Sequence, residues 1–129
     1  MKKDTYNKEI TNNKKVVILF ALAFVTMSIF YFLNTMAVKL LHTPIDVVLY
    51  VFYTSPVQYL AYVGIVWYFK KSFQHFNNRY WIASLLFTFA NYIANVTMAF
   101  YVLEQVPTSG QVVGIILTFV GTAIAILYK

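Results

Sequence analysis

The sequence predicts an all-α integral membrane protein, a four-transmembrane-helix bundle with both termini cytoplasmic (N-in/C-in). Three observations lead there. The chain of 129 residues is 60% hydrophobic and only 11% charged, whereas a soluble domain carries roughly 25% charged residues. Its apolar residues gather into four runs, at 16–38, 47–69, 80–103 and 106–128. Each matches the roughly 20 helical residues that cross a bilayer core of about 30 Å. The third observation is where the charges fall. With four spans, one side holds Lys2, Lys3, Lys8, Lys14, Lys15, Lys70, Lys71, Arg79 and Lys129. The other side holds Lys39 against Asp46 and Glu104. Such a positive-inside bias orients the chain one way in the cell membrane.

Two units follow: a polar cytoplasmic N-terminal segment at 1–15, and a single four-helix membrane domain at 16–129. The first apolar run exceeds the 7–15 residues typical of a signal-peptide core, and no A-x-A site follows it, so it is expected to be a retained helix. The net charge of +6 is accounted for by orientation, so nucleic acid is not an expected partner. Contact of the lysines with anionic lipid would be an added consequence. There is no cysteine, which excludes disulfide and thiol chemistry.

Span one places Ser28, Tyr31, Thr35 and Lys39 on one face. Lys39 lies near enough to the outer end to reach the interface. The loop after it holds His42, with no partner at metal-ligand spacing, and Pro44. Span two repeats Tyr50, Thr54, Gln58 and Tyr62 at steps of four. Gln58 falls near mid-membrane, where an amide needs a partner inside the bundle or a wet cavity. Pro56 frees the carbonyl four residues earlier and is expected to kink the helix. Trp67, Tyr68, Tyr80 and Trp81 form an inner aromatic belt.

Span three has the strongest polar pattern. Ser84, Thr88, Asn91 and Asn95 step by four, three and four along an otherwise apolar helix. With Gln58 they form the candidate substrate path. The same stripe reads equally well as interhelical hydrogen-bonding glue. Glu104 closes the span at the outer end and the turn is short, which makes spans three and four antiparallel neighbours. Span four opens on Pro107, an expected first-turn residue. It then sets Gly110, Gly114, Thr118, Gly121 and Ala125 on one small-residue face. This face, including the pattern Gly110-x-x-x-Gly114, is the expected helix-packing or dimer surface.

Chemistry is sparse. No carboxylate lies within a span, Lys39 and Glu104 being outer-end charges. No nucleophile triad, metal cluster or phosphate-binding glycine loop is present. The expectation is a non-enzyme, with no cofactor and no metal.

The lead-in and body of span four (Glu104, Pro107, Thr108, Gly114, Leu117 and Gly121) resemble the last helix of the drug/metabolite transporter superfamily, which includes small multidrug resistance-like and EamA-like proteins. Lys39 ending one helix and Pro44 opening the next are similar in layout. The resemblance implies a small membrane transporter or flippase subunit moving a small metabolite or a lipid-linked substrate. Small multidrug resistance proteins place an essential Glu within the first helix, and span one here has none. Members that insert both ways have nearly balanced loops, unlike this chain. A homo-oligomer or hetero-partner membrane protein in one orientation is therefore expected. A second resemblance rests on Phe76-Asn77-Asn78-Arg79-Tyr80-Trp81-Ile82, similar to a motif of GtrA-like proteins, which implies flipping of polyprenyl-phosphate sugars. That family repeats the motif after its fourth helix, and this chain carries one copy. The alternative from another class is a non-transport assembly or regulatory subunit. A holin-like pore former ranks below both, because such chains often end in a charged tail and this one ends on a single lysine.

Overall fold

The computed structural model describes residues 2–128, without the side chains of Lys2, Tyr6, Asn7, Glu9, Ile10 and Thr11. Lys129 and the Lys2 side chain, both used in the charge count, lie outside the described residues. Four helices follow in order: α1 (Lys2–Leu40), α2 (Pro44–His75), α3 (Tyr80–Leu103) and α4 (Ser109–Leu127).

The apolar runs fix where the helices are, but polar chemistry fixes where they end. α3 takes the bounds of its run. α1 starts well before residue 16, because a helix once nucleated extends at little cost and Asp4 in its first turn suits the dipole. α2 continues past residue 69 through Lys70 and Lys71. Its start is set by Thr43, whose hydroxyl accepts from the Asp46 N–H at 3.2 Å and donates to the Asp46 carboxylate at 2.7 Å. α4 begins at Ser109 rather than 106. Thr108 and Gln111 form a reciprocal capping box there, which leaves Pro107 outside the helix instead of in its first turn.

Pro56 lies within the continuous helix α2. The Phe52 carbonyl that it deprives of a partner accepts the Ser55 hydroxyl at 2.8 Å. The turn between α2 and α3 needs two consecutive residues in the left-handed region, Asn77 at φ 53° and Asn78 at φ 63°. Asparagine is among the few side chains that adopt this conformation readily. The Asn-Asn-Arg stretch thus has a structural reason in this turn.

The helix that organises the others is α3, not α4. Its backbone approaches α1, α2 and α4, whereas α4 approaches α3 alone. Ala83, Leu86, Ala90 and Ala94 recur at steps of three, four and four and are all buried. They form the small, smooth face that lets α1 settle closely. The core cluster combines Leu19 and Ala23 of α1, Tyr68 of α2 and the face of α3, with Phe76 of the turn closing one end. The Tyr68 ring is fully buried, and its hydroxyl donates to the Ala83 carbonyl at 2.7 Å. Phe69 stacks on Tyr80, their centroids 5.6 Å apart, and Phe20 and Phe119 flank Phe89.

Three helical segments are long and apolar enough to cross a membrane: Asn12–Leu40, Tyr80–Leu103 and Ser109–Leu127. α2 is not among them. Its length suffices, but tyrosines with Thr54, Ser55, Pro56 and Gln58 dilute its apolar character. The molecule is thus an all-helical membrane protein with three candidate spans, one fewer than its four apolar runs predict.

Candidate functional site

The polar stripe on α3 is present, but it does not join helices within the chain. The Thr88 hydroxyl donates to the Ser84 carbonyl at 2.9 Å, a bond inside its own helix. Gln58 donates to the Thr54 hydroxyl at 2.8 Å, again within one helix. Among the described residues no hydrogen bond connects Gln58 to Ser84, Thr88, Asn91 or Asn95. The two asparagines have different surroundings. Asn91 is half-buried, and its Oδ1 is buried with no hydrogen-bond partner. Asn95 is exposed and lines a cleft of about 70 Å³ with Gln105, Pro107 and Gln111, where α3 turns towards α4.

Bonds between helices come from other residues, and each ends on a backbone carbonyl. The Tyr50 hydroxyl donates to Leu33 at 2.7 Å, tying α2 to α1. Tyr68 ties α2 to α3 through Ala83. The Thr122 hydroxyl reaches Leu85 at 3.3 Å, tying α4 to α3. The outer-end charge Lys39 extends from α1 to the Val102 carbonyl at 3.1 Å, in the last turn of α3. A cation at a helix C-terminus is favourably placed against the dipole. Lys39 therefore joins α1 to α3 in addition to any role at the interface. Glu104 caps α3 in the left-handed region at φ 56°.

The expected packing face of α4 is largely uncovered. A Cβ placed on Gly114 or Gly121 would meet nothing within 4 Å, and on Gly110 only Thr108 Oγ1 at 4.0 Å. Thr118 and Ala125 are half-buried. The buried residue of α4 is Thr122, one position beyond Gly121. The face packed on α3 is thus turned by about 100° from Gly121, the angle between neighbours on a helix. A glycine does allow close helix approach elsewhere in the chain. A Cβ on Gly64 of α2 would lie 2.8 Å from Thr26 Oγ1 of α1.

Among the grooves that open between helices, two differ in polarity. One, of about 530 Å³, is apolar apart from Ser28 and Thr97 and runs among Phe24, Phe32, Val57 and Tyr101. The other, of about 490 Å³, lies between α1 and α2 and is amphipathic. Lys15, Ile18, Leu19 and Leu22 line it from α1, and Trp67, Lys71, Gln74 and His75 from α2. In the sequence Lys15 and Lys71 read as orientation charges, with contact to anionic lipid an added consequence. Their placement in one cleft could have been suspected from each helix's own spacing, in which a lysine heads an apolar or aromatic face. Which two faces meet is a tertiary fact.

Comparison with known proteins finds no matching family model, curated protein or solved structure.

Proposed function

We propose that this chain is a small subunit of a membrane transporter or flippase. It moves a small metabolite or a lipid-linked substrate, and it works as a dimer or with a partner membrane protein. The observation that carries this reading is the Asn91 carbonyl oxygen, buried on the α3 stripe without a hydrogen-bond partner. A buried polar atom left unsatisfied costs about 1–3 kcal/mol. Holding the helices of this chain together does not account for it, because those bonds run through Tyr50, Tyr68, Thr122 and Lys39. A polar ligand, water or partner group would satisfy it. The superfamily resemblance of the final helix agrees with transport.

The test reconstitutes the full chain in vesicles carrying fluorescently tagged phosphatidylglycerol and follows tag reduction from outside. Wild-type chain should accelerate loss of inner-leaflet signal, and Asn91→Ala/Asn95→Ala should reduce that to the protein-free rate while the chain remains inserted. Equal rates for the wild type and the double variant would remove the path assignment.

With α2 as the remaining span, the bundle has four crossings in the cell membrane and both termini in the cytoplasm. The cysteine-free chain suits single-cysteine labelling. His42→Cys should react with an impermeant maleimide from outside the cell, and Asn77→Cys should not. Reaction of both from outside would overturn the four-span arrangement.

A second reading, a non-transport assembly subunit, is favoured by the uncovered glycines of α4, which leave room for a close-packed helix from another protein.

A further inference from the structure

We propose that the cleft between α1 and α2 is a binding site for one anionic phospholipid. The inference stands apart from the transport reading and needs only that the chain resides in a membrane.

Polarity changes along the cleft. α1 contributes Lys15, Ile18, Leu19 and Leu22, spaced by three, four and seven from the lysine and so on one face. α2 contributes Trp67, Lys71 and Gln74, four and seven residues on from the tryptophan, with His75 beside them. The two helices are consecutive and run in opposite senses. With Thr26 against Gly64, Lys15 stands level with Gln74 and His75, Leu19 level with Lys71, and Leu22 level with Trp67. From Lys15 to Leu22 is about 10 Å along the helix. The cleft thus passes over that distance from a doubly cationic mouth with an amide donor to an apolar floor.

Trp67 does more than mark the interface. The Lys71 ammonium lies over its ring, 4.9 Å from the centroid, with Lys70 at 5.9 Å. This contact fixes the Lys71 ammonium beside the tryptophan that lines the cleft. Among the described residues the charged groups that line the cleft are cationic.

The occupant follows from that gradient. A phosphate ester would be met at the mouth by two ammonium groups and the Gln74 amide. Its acyl chains would follow Ile18, Leu19 and Leu22 towards the bilayer. A free anion would use the mouth only and leave the apolar floor wet. A zwitterionic lipid carries its own cation to the same lysines. A volume of about 490 Å³ accommodates a headgroup with the first part of its chains.

The full chain purified in mild detergent is titrated with dioleoyl phosphatidylglycerol, dioleoyl phosphatidylcholine or inorganic phosphate, and bound mass is read by native mass spectrometry. Near an anionic surface each lysine contributes about 1 kcal/mol, so two predict roughly a thirty-fold preference for phosphatidylglycerol over phosphatidylcholine. Lys15→Ala/Lys71→Ala should abolish the preference, and Lys8→Ala/Lys14→Ala, outside the cleft lining, should retain it. Ile18→Ser, at an exposed floor position, should weaken phosphatidylglycerol binding. Equal binding of the two lipids would overturn the proposal, as would equal effects of the two lysine pairs. Displacement of phosphatidylglycerol by millimolar phosphate, with Ile18→Ser neutral, would replace the lipid with a free anion. Circular dichroism of each variant separates lost binding from lost helix.

Discussion

Two small-residue faces in this chain have opposite fates. On α3, Ala83, Ala90 and Ala94 are fully buried and form the surface on which α1 rests. On α4, Gly110, Gly114 and Gly121 share one face, and two of the three have open space where a side chain would be. Judged from sequence, the glycine face is the stronger packing signal, because the Gly-x-x-x-Gly spacing favours close helix approach. Inside the chain it is the alanine face that packs. Small residues permit close approach but do not cause it. A neighbour with a complementary face must also be within reach. The backbone of α3 has those of α1, α2 and α4 close around it, and the backbone of α4 comes close to that of α3 alone.

The largest effect is expected from Ala90→Leu. The new side chain must enter the fully buried α1–α3 contact. Overpacking of this kind costs ~1–3 kcal/mol or more. Unfolding of the chain in mild detergent with added dodecyl sulfate should shift to clearly lower dodecyl sulfate. An unchanged midpoint would mean that α1 does not rest on this face.

Gly64→Ala should have a smaller effect that a second substitution can repair. The added methyl would press on the Thr26 side chain, with Oγ1 at 2.8 Å and Cγ2 at 3.1 Å. Thr26 is buried and donates to the Leu22 carbonyl at 2.7 Å, so it has little freedom to move aside. A loss of ~1 kcal/mol is expected, and Thr26→Ala should recover most of it. A double variant no better than the sum of the singles would show that the two sites do not meet.

The smallest effect is expected at α4. At Gly114 and Gly121 the first added carbon meets nothing within 4 Å, and Gly114→Leu and Gly121→Leu should leave the unfolding midpoint of the isolated chain unchanged. The same substitutions should dissociate any complex built on that face, read as a change in mass on size-exclusion chromatography with light scattering. A lowered midpoint for the isolated chain would place a neighbour of the same chain there. An unchanged complex would remove the face as an interface.

The polar stripe repeats the lesson with hydrogen bonds. Asn91 and Asn95 are the costliest side chains in their span, and the sequence reasonably offers them as either glue or path. The bonds between helices instead come from Lys39 reaching a carbonyl in the last turn of α3 that its own helix leaves open, and from tyrosine and threonine side chains reaching carbonyls already used in their own helices. Such carbonyls keep a second lone pair, so this pairing leaves no sequence pattern. Any tyrosine near a helix interface can take part, and neighbourhood selects Tyr50 and Tyr68. The cleft between α1 and α2 was hidden for a related reason. Lys15 and Lys71 are 56 residues apart in sequence and become one mouth only because α2 folds back along α1.

The all-helical membrane character, the location of the four helices, the bounds of α3, and the small-residue and polar faces of the helices are all legible along the chain. Those properties are local: apolar run length and 3.6-residue periodicity act within one segment. Only the tertiary structure decided that α3 is the shared helix, that alanines rather than glycines take the close contact, and that Lys39 ties α1 to the end of α3. It also decided that Asn91 is left without a partner and that two lysines meet over an apolar floor. Each of these depends on which faces are apposed, and a helix's periodicity describes its own face while containing nothing about the neighbour that will cover it.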